Sequence, residues 1–219
     1  MSGYFDLHHG DWDAIYSAPV GSVRWKLNRR FRRAVLRRMT VALDECRDAG
    51  ARSVLDIGCG TGELGVRLAA AGATRVLGID VAGEMVQVAT SHAVRRGVAG
   101  VCEYAKGDFM THPLGAERFD CVVALGVFDY VADPGAFLGA MWSRTRRRLV
   151  ASFPHSVPPR SWLRTVWHGL HGSKLHYFTG DDVRRRGMRL APSALRIHTL
   201  PGSDRTYVLV CEAPGGARS

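Results

Sequence analysis

What most limits the fold of this chain is a series of seven short apolar runs rich in β-branched residues, the first five separated by helix-sized segments. The runs are Ser53–Ile57, Arg75–Ile79, Val101–Tyr104, Asp120–Leu125, Arg148–Phe153, Leu195–Thr199 and Tyr207–Cys211. Such alternation is the pattern of βαβ units, in which each strand is followed by a helix that returns the chain to the same edge of a parallel sheet. Between the last two runs lies only Leu200-Pro-Gly-Ser-Asp-Arg205. That is too short for a crossover helix, so those two strands must pair antiparallel as a hairpin. With 219 residues, the chain has material for one substantial core.

The residues before the first strand differ in character. After the breaker Pro19, the stretch from Ser22 to about Ala49 reads as one long helix, with Val23, Leu27, Phe31, Val35, Met39, Ala42 and Leu43 recurring every three or four positions. Its other face carries Arg24, Arg29, Arg30, Arg32, Arg33, Arg37 and Arg38. The expected organisation is a helical lid over residues 1–50, a single α/β domain over 51–213 and a flexible tail over 214–219. The arginine face helps account for the formal net charge of +10, from 30 Lys+Arg against 20 Asp+Glu. Such a balance suits nucleic acid, anionic membranes or acidic small molecules, but only three of the basic residues are lysine, a skew that GC-rich codon usage explains as well. The five cysteines are far apart with no C-x-x-C pair, which fits a reducing compartment and excludes a zinc ribbon; no metal site is expected. No apolar stretch approaches the ~18 residues of a membrane span, and the N-terminus has no secretory pattern, so a cytoplasmic protein is expected.

The chemistry concentrates where strands end. The first strand runs into Asp56-Ile-Gly-Cys-Gly-Thr-Gly62, directly before an amphipathic helix over Glu63–Ala71. Glycines at a strand-to-helix turn let the backbone reverse sharply and let a ligand approach closer than a Cβ permits. The spacing is not the G-x-G-x-x-G of dinucleotide sites, because the third glycine arrives one residue early and a carboxylate precedes the first. A carboxylate there would repel a pyrophosphate but can accept hydrogen bonds from an ammonium group. A nucleoside bearing an amino acid meets both conditions. The second strand ends in Asp80, 20 residues beyond Gly60, where a carboxylate can hold both ribose hydroxyls. Asp108 and Phe109 follow the third strand, an acid and an aromatic suited to an adenine amino group and edge.

Asp56–Gly62, Asp80, Asp108-Phe109 and the strand Phe119-Asp-Cys-Val-Val-Ala124 together resemble the ordered motifs of class I S-adenosylmethionine-dependent methyltransferases. The resemblance spans residues 53–212. It implies a Rossmann-like α/β fold with a seven-stranded sheet of order 3-2-1-4-5-7-6, strand seven antiparallel, and S-adenosyl-L-methionine as cofactor. It further implies that Asp56, Gly58, Cys59, Gly60 and Gly62 hold the methionine part, that Asp80 holds the ribose, that Asp108 and Phe109 border the adenine, and that Val81 and Met85 also belong to the cofactor site. Leu125 and Gly126 would line the floor near the methyl group.

The position after strand four, Leu125-Gly-Val-Phe-Asp-Tyr-Val-Ala-Asp-Pro134, has neither an N-P-P-Y-like motif nor a Pro-Cys pair, which argues against the nucleic-acid enzymes that use them. The termini are similar to magnesium-protoporphyrin IX O-methyltransferases, through Tyr4-Phe5 and Trp12-Asp-Ala-Ile-Tyr16 ahead of an arginine-rich helix and through Arg148-Leu-Val-Ala-Ser-Phe-Pro154. That resemblance implies that Tyr16 faces the active site. Where those enzymes carry Ile-His-Tyr, this chain has Phe128-Asp129-Tyr130, and a carboxylate in place of an imidazole repels an acidic acceptor group. The expected function is therefore methyl transfer to O or N of another small molecule, with an anionic or aromatic acceptor among the possibilities. Asp129, His155 and Tyr16 are the candidate catalytic residues. The segment Ser156–Phe178, with its histidines and aromatics, could line a substrate wall or simply pack as a helix. The alternative is an RNA methyltransferase whose arginine helix holds phosphates.

Overall fold

The computed structural model describes residues 23–155, 176–200 and 206–215, with side chains from Arg33 onward. The elements, in chain order, are α1 (Val23–Asp48), β1 (Ser53–Ile57), α2 (Glu63–Ala70), β2 (Arg75–Asp80), α3 (Gly83–Arg95), β3 (Cys102–Lys106) and β4 (Phe119–Ala124). They continue with α4 (Pro134–Ser143), β5 (Thr145–Pro154), α5 (Gly180–Met188), β6 (Ala194–Leu200) and β7 (Thr206–Glu212). All seven strands join one sheet of order β3-β2-β1-β4-β5-β7-β6. The pairs from β3 to β5 are parallel, and β7 runs antiparallel to both β5 and β6. The expected strand order and closing hairpin are both present.

Because side chains alternate along a strand, each buried strand feeds two cores. Leu55, Ile57, Leu77, Ile79, Val122, Leu149 and Phe153 pack on one face with Phe137, Leu138 and Met141 of α4 and Val183 of α5. Val54, Val76, Cys121, Val123, Val150 and Val210 pack on the other with Met39, Ala42 and Cys46 of α1, Leu64 and Leu68 of α2 and Ala93 of α3. Helices change face between β1 and β4, where the strand order reverses. In an open parallel sheet the crevice beyond the strand ends at such a reversal is where ligands bind.

Local signals account for the helix ends. Asp133 Oδ1 accepts from the N–H groups of Gly135 and Ala136, with Pro134 in the first turn, so α4 starts there. Thr179 and Asp182 form a reciprocal capping box on α5. β5 begins at Thr145, three residues before the expected Arg148. Thr145 is buried and pairs with Phe119 across a register shift, and Arg147 and Arg148 find acceptors on the neighbouring α1 segment, so an arginine run reads as polar yet sits in the sheet.

α1 has 26 residues and is about 39 Å long at 1.5 Å per residue, while strands of five or six residues span about 17–20 Å. Its C-terminal part lies over the sheet, where Glu45 meets Arg148 at the start of β5. Its N-terminal half therefore runs past the carboxyl ends of the strands.

Candidate active site

The turn leaving β1 touches both neighbouring strands' exits, Ile79 at the end of β2 and Val127 after β4. Gly58 and Cys59 both donate to the Ile79 carbonyl, at 2.8 and 3.3 Å, so the turn stays tied to β2 after β1 has ended. Gly58, Gly60 and Gly62 all have left-handed backbones, with φ of 70°, 52° and 72°, which three alternate residues with a Cβ would not adopt together. Asp80 clamps this turn from the next strand: its Oδ2 accepts from Gly60 N at 2.8 Å and its Oδ1 from Ala82 N at 2.9 Å. Further support comes from residues that the sequence patterns did not single out. The Tyr104 hydroxyl donates to the Gly62 carbonyl at 3.1 Å, and His92 Nδ1 lies 3.2 Å from the Thr61 carbonyl. The Tyr104 ring packs across Gly78 of β2, where an added Cβ would come within 2.4 Å of it, so glycine in the middle of that strand makes room for the prop under the turn.

Asp56 is the electrostatic anomaly of the site. It is 3% exposed, and its Oδ2 is shielded from solvent with no hydrogen-bond partner among the described residues. Burial, aided by the neighbouring Asp80 charge, pushes its carboxyl up to about 7. Burial also raises the Asp80 carboxyl, against the backbone N–H groups that stabilise its charge. Cys59 is buried beside both acids and its thiol is pushed up, chiefly by burial, so it is no nucleophile. An orphaned carboxyl beneath a glycine turn is the group that an incoming ammonium would satisfy, and it fits the amino-acid end of the expected cofactor.

The remaining expected cofactor residues surround the same crevice. Val81 and Met85 are half-buried at the end of β2 and in the first turn of α3. Asp108 is exposed after β3, its Oδ1 accepting from Met110 N, so it caps a local turn while its other oxygen remains for a ligand. Phe109 is buried, its ring edge-on to Phe137 at 5.2 Å, so the aromatic neighbour of Asp108 is a core residue first. Leu125 and Gly126 follow β4, and Gly126 N donates to the buried Ser152 hydroxyl at 2.8 Å, which fixes that turn against β5.

The seven-arginine face divides. Arg33 and Arg37 are exposed, but Arg38 is half-buried and reaches the turn after β4: an added Cβ at Gly126 would lie 3.3 Å from its Nη1. A guanidinium thus stands at the crevice opposite in sign to Asp56. The two together complement the poles of an amino-acid zwitterion, and Arg38 could hold its carboxylate.

On the acceptor side, Phe128 and Phe153 stack with centroids 4.2 Å apart, which ties the turn after β4 to the end of β5. Asp129, next to Phe128, is buried, and its carbonyl accepts from His176 N at 2.9 Å. It does not cap α4, a role that Asp133 fills. His155 pairs in a single bridge with Phe178, stacks on Tyr207 at 5.0 Å and keeps a buried Nδ1 with no hydrogen-bond partner among the described residues. Segment 176–178 thus crosses both strand ends and brings the surroundings of Asp129 and His155 together. Tyr16 and most of Ser156–Phe178, including Trp162, Trp167, His168 and His171, lie outside the described residues. Among the described residues no group of three or more His, Cys, Asp or Glu could hold a metal ion, and no helix is long and apolar enough to cross a membrane.

Residues 54–148 match the family model described as a methyltransferase domain. A ubiquinone biosynthesis O-methyltransferase from Azorhizobium caulinodans is 39% identical over 129 residues, 54% of this chain and 50% of that protein. Its counterpart from Erwinia tasmaniensis is 28% identical over 184 residues, 72% of this chain and 73% of that protein. A counterpart from Cereibacter sphaeroides is 34% identical over 151 residues, 62% of this chain and 59% of that protein, so the chain spans half the length of the Azorhizobium relative and little more than half of this one. Among solved structures, magnesium protoporphyrin IX methyltransferase from Synechocystis with bound SAH superposes with a TM-score of 0.77 at 22% identity, over 97% of this chain and 98% of that one. That likeness is one of fold. With the glycine turn, the strand-end acids and the seven-stranded order already in place, the domain match over residues 54–148 and the likeness of fold support a class I S-adenosylmethionine-dependent methyltransferase.

Proposed function

We propose that the chain transfers a methyl group to an oxygen or nitrogen of a small-molecule acceptor. The observation that carries this reading is the orphaned Asp56 carboxyl under the glycine turn, paired with Asp80 on the next strand. O-methylation is the favoured form, because the sequence relatives are named as O-methyltransferases of ubiquinone biosynthesis. S-adenosylmethionine supplies, when bound, an electrophilic methyl on a sulfonium. Asp56 would accept from its ammonium, Arg38 would hold its carboxylate, Asp80 its ribose hydroxyls, and Asp108 with the edge near Phe109 its adenine. The Gly126 turn, pinned by Ser152, forms the floor on the side where the acceptor enters.

Catalysis of such a transfer rests on alignment of the attacking atom and, for a hydroxyl acceptor, on removal of its proton. His155 would take on the second task, a reading supported by its imidazole held against Tyr207 and its Nδ1 without a hydrogen-bond partner among the described residues. Asp129 would orient the acceptor from the end of the adjacent strand β4, and Tyr16, outside the described residues, is the remaining catalytic candidate. Asp129→Asn should then lower turnover at least tenfold while leaving cofactor affinity within about twofold. The decisive experiment incubates the protein with methyl-labelled cofactor and a cell extract, then separates small molecules from RNA. Label in the small-molecule fraction, lost in Asp80→Ala, is expected. Label confined to RNA would overturn the reading in favour of a phosphate-binding role for α1.

A further inference from the structure

Asp56 and Asp80 end adjacent parallel strands, yet the backbone treats them differently. Asp80 has an N–H group on each oxygen, from Gly60 and Ala82, and these stabilise its charge. Asp56 has no such donor on Oδ2. Its lateral partners in the sheet are Gly78 of β2 and Val123 of β4, and neither brings a countercharge. The other titratable groups near it are Cys59 in the turn, Cys102 and Tyr104 of β3, and Cys46 of α1. The first three are held neutral chiefly by burial, and Cys46 by its hydrogen bond with Cys121 and by burial. Among the described residues the charge that bears most on Asp56 is that of Asp80, of the same sign, while the Arg38 guanidinium lies farther along the crevice at the Gly126 turn. Two carboxyls in one dry crevice with donors enough for one leave the other to carry a proton.

We propose that Asp56 is protonated in the cofactor-free protein and surrenders that proton to solvent when a primary ammonium docks on it, so that binding of the cofactor's amino-acid end is linked to release of one proton. The step balances: the carboxyl O–H bond breaks, a buffer base takes the proton, and the carboxylate accepts an N–H from the ammonium, with no electron transferred. The proposal rests on the reading that the crevice holds a nucleoside carrying an amino acid. It gives the protein a cofactor affinity that strengthens with pH up to the neutral range, where burial has placed the Asp56 carboxyl.

The test is calorimetric titration with S-adenosylhomocysteine in pairs of buffers that differ in heat of ionisation. At about pH 6 close to one proton should be released per ligand, falling toward none by about pH 8, and the dissociation constant should rise about tenfold for each pH unit below about 7. Methylthioadenosine, the same nucleoside without the amino acid, should bind without that release. Asp56→Asn should bind S-adenosylhomocysteine more weakly and release no proton; if that variant does not fold, the two ligands on the unaltered protein decide the matter. Binding of S-adenosylhomocysteine without proton release, or equal release by both ligands, would overturn the linkage. Absence of S-adenosylhomocysteine binding at every pH would instead overturn the cofactor reading beneath it.

Discussion

Asp56 sits where folding and ligand binding make opposite demands. In the native, cofactor-free protein its carboxyl titrates at about 7, against 3.8 for an ordinary aspartate. Between those values the unfolded chain has lost a proton that the native chain keeps, so this residue's contribution to stability falls as pH rises, then levels off once the native carboxyl ionises. Asp56→Asn removes the titration. Relative to the natural protein, the variant should gain about 1.4 kcal/mol of unfolding free energy for each pH unit from about 4 to about 7, read from urea denaturation without cofactor. A difference between the two that does not vary with pH would mean that Asp56 is ionised in the native state. Arg38 carries the complementary prediction. Arg38→Met should weaken S-adenosylhomocysteine about tenfold, or ~1.4 kcal/mol, yet leave its decarboxylated analogue unaffected, a selectivity that a merely structural role for the side chain would not produce. The acids were legible in the sequence because each follows an apolar run. Arg38 was not, being one of eight arginines on a single helix. Its helical phase does distinguish it, since Arg38, Ala42, Glu45 and Ala49 recur every three or four residues and the last three are buried.

Among the elements, α1 departs furthest from the expectation of a cover laid over a finished domain. Its C-terminal part supplies Met39, Ala42 and Cys46 to the sheet's second core. It is also pinned by charge. Glu45 Oε2 accepts from Arg148 at 2.6 Å and Arg196 at 2.8 Å, His198 Nε2 lies 3.0 Å from its Oε1, and both arginines continue to Glu212. One buried carboxylate thus links α1 to β5, β6 and β7. Removing one partner of a buried ion network leaves the others uncompensated, at a cost of about 3–5 kcal/mol, whereas surface pairs such as Arg67–Glu63 contribute less than about 1 kcal/mol. Glu45→Gln should therefore lower the unfolding free energy by about 3 kcal/mol, measured by urea denaturation near neutral pH. A loss below about 1 kcal/mol would show that apolar packing alone holds the helix. The strands were legible from apolar periodicity, and the β6–β7 hairpin from a connection too short to cross. The Glu45 network was not, because its members are scattered from position 45 to 212 and only the sheet order brings them together.

Across the whole molecule, the parallel sheet concentrates chemistry at one edge. Strand order reverses between β1 and β4, helices switch faces there, and Asp56, Asp80, Gly126 and Arg38 of α1 all converge on the resulting crevice. Among the described side chains of α1, the arginines accordingly divide into exposed ones such as Arg33 and Arg37 and the half-buried Arg38, which reaches the turn after β4. The strand-end acids and the glycine turn were readable from sequence because strand ends and glycine turns have fixed spacings. The nearness of Asp129 and His155 was not, since among the described residues the Phe128–Phe153 stack and the return of segment 176–178 bring their surroundings together. The central claim is that this crevice binds the methyl donor, and thermal unfolding with and without S-adenosylhomocysteine tests it most directly. At 100 times its dissociation constant the ligand should add about 2.7 kcal/mol and raise Tm by roughly 5–10 °C, with the shift greatly reduced in Asp80→Ala. An unchanged Tm at millimolar ligand, or an equal shift in the variant, would contradict it.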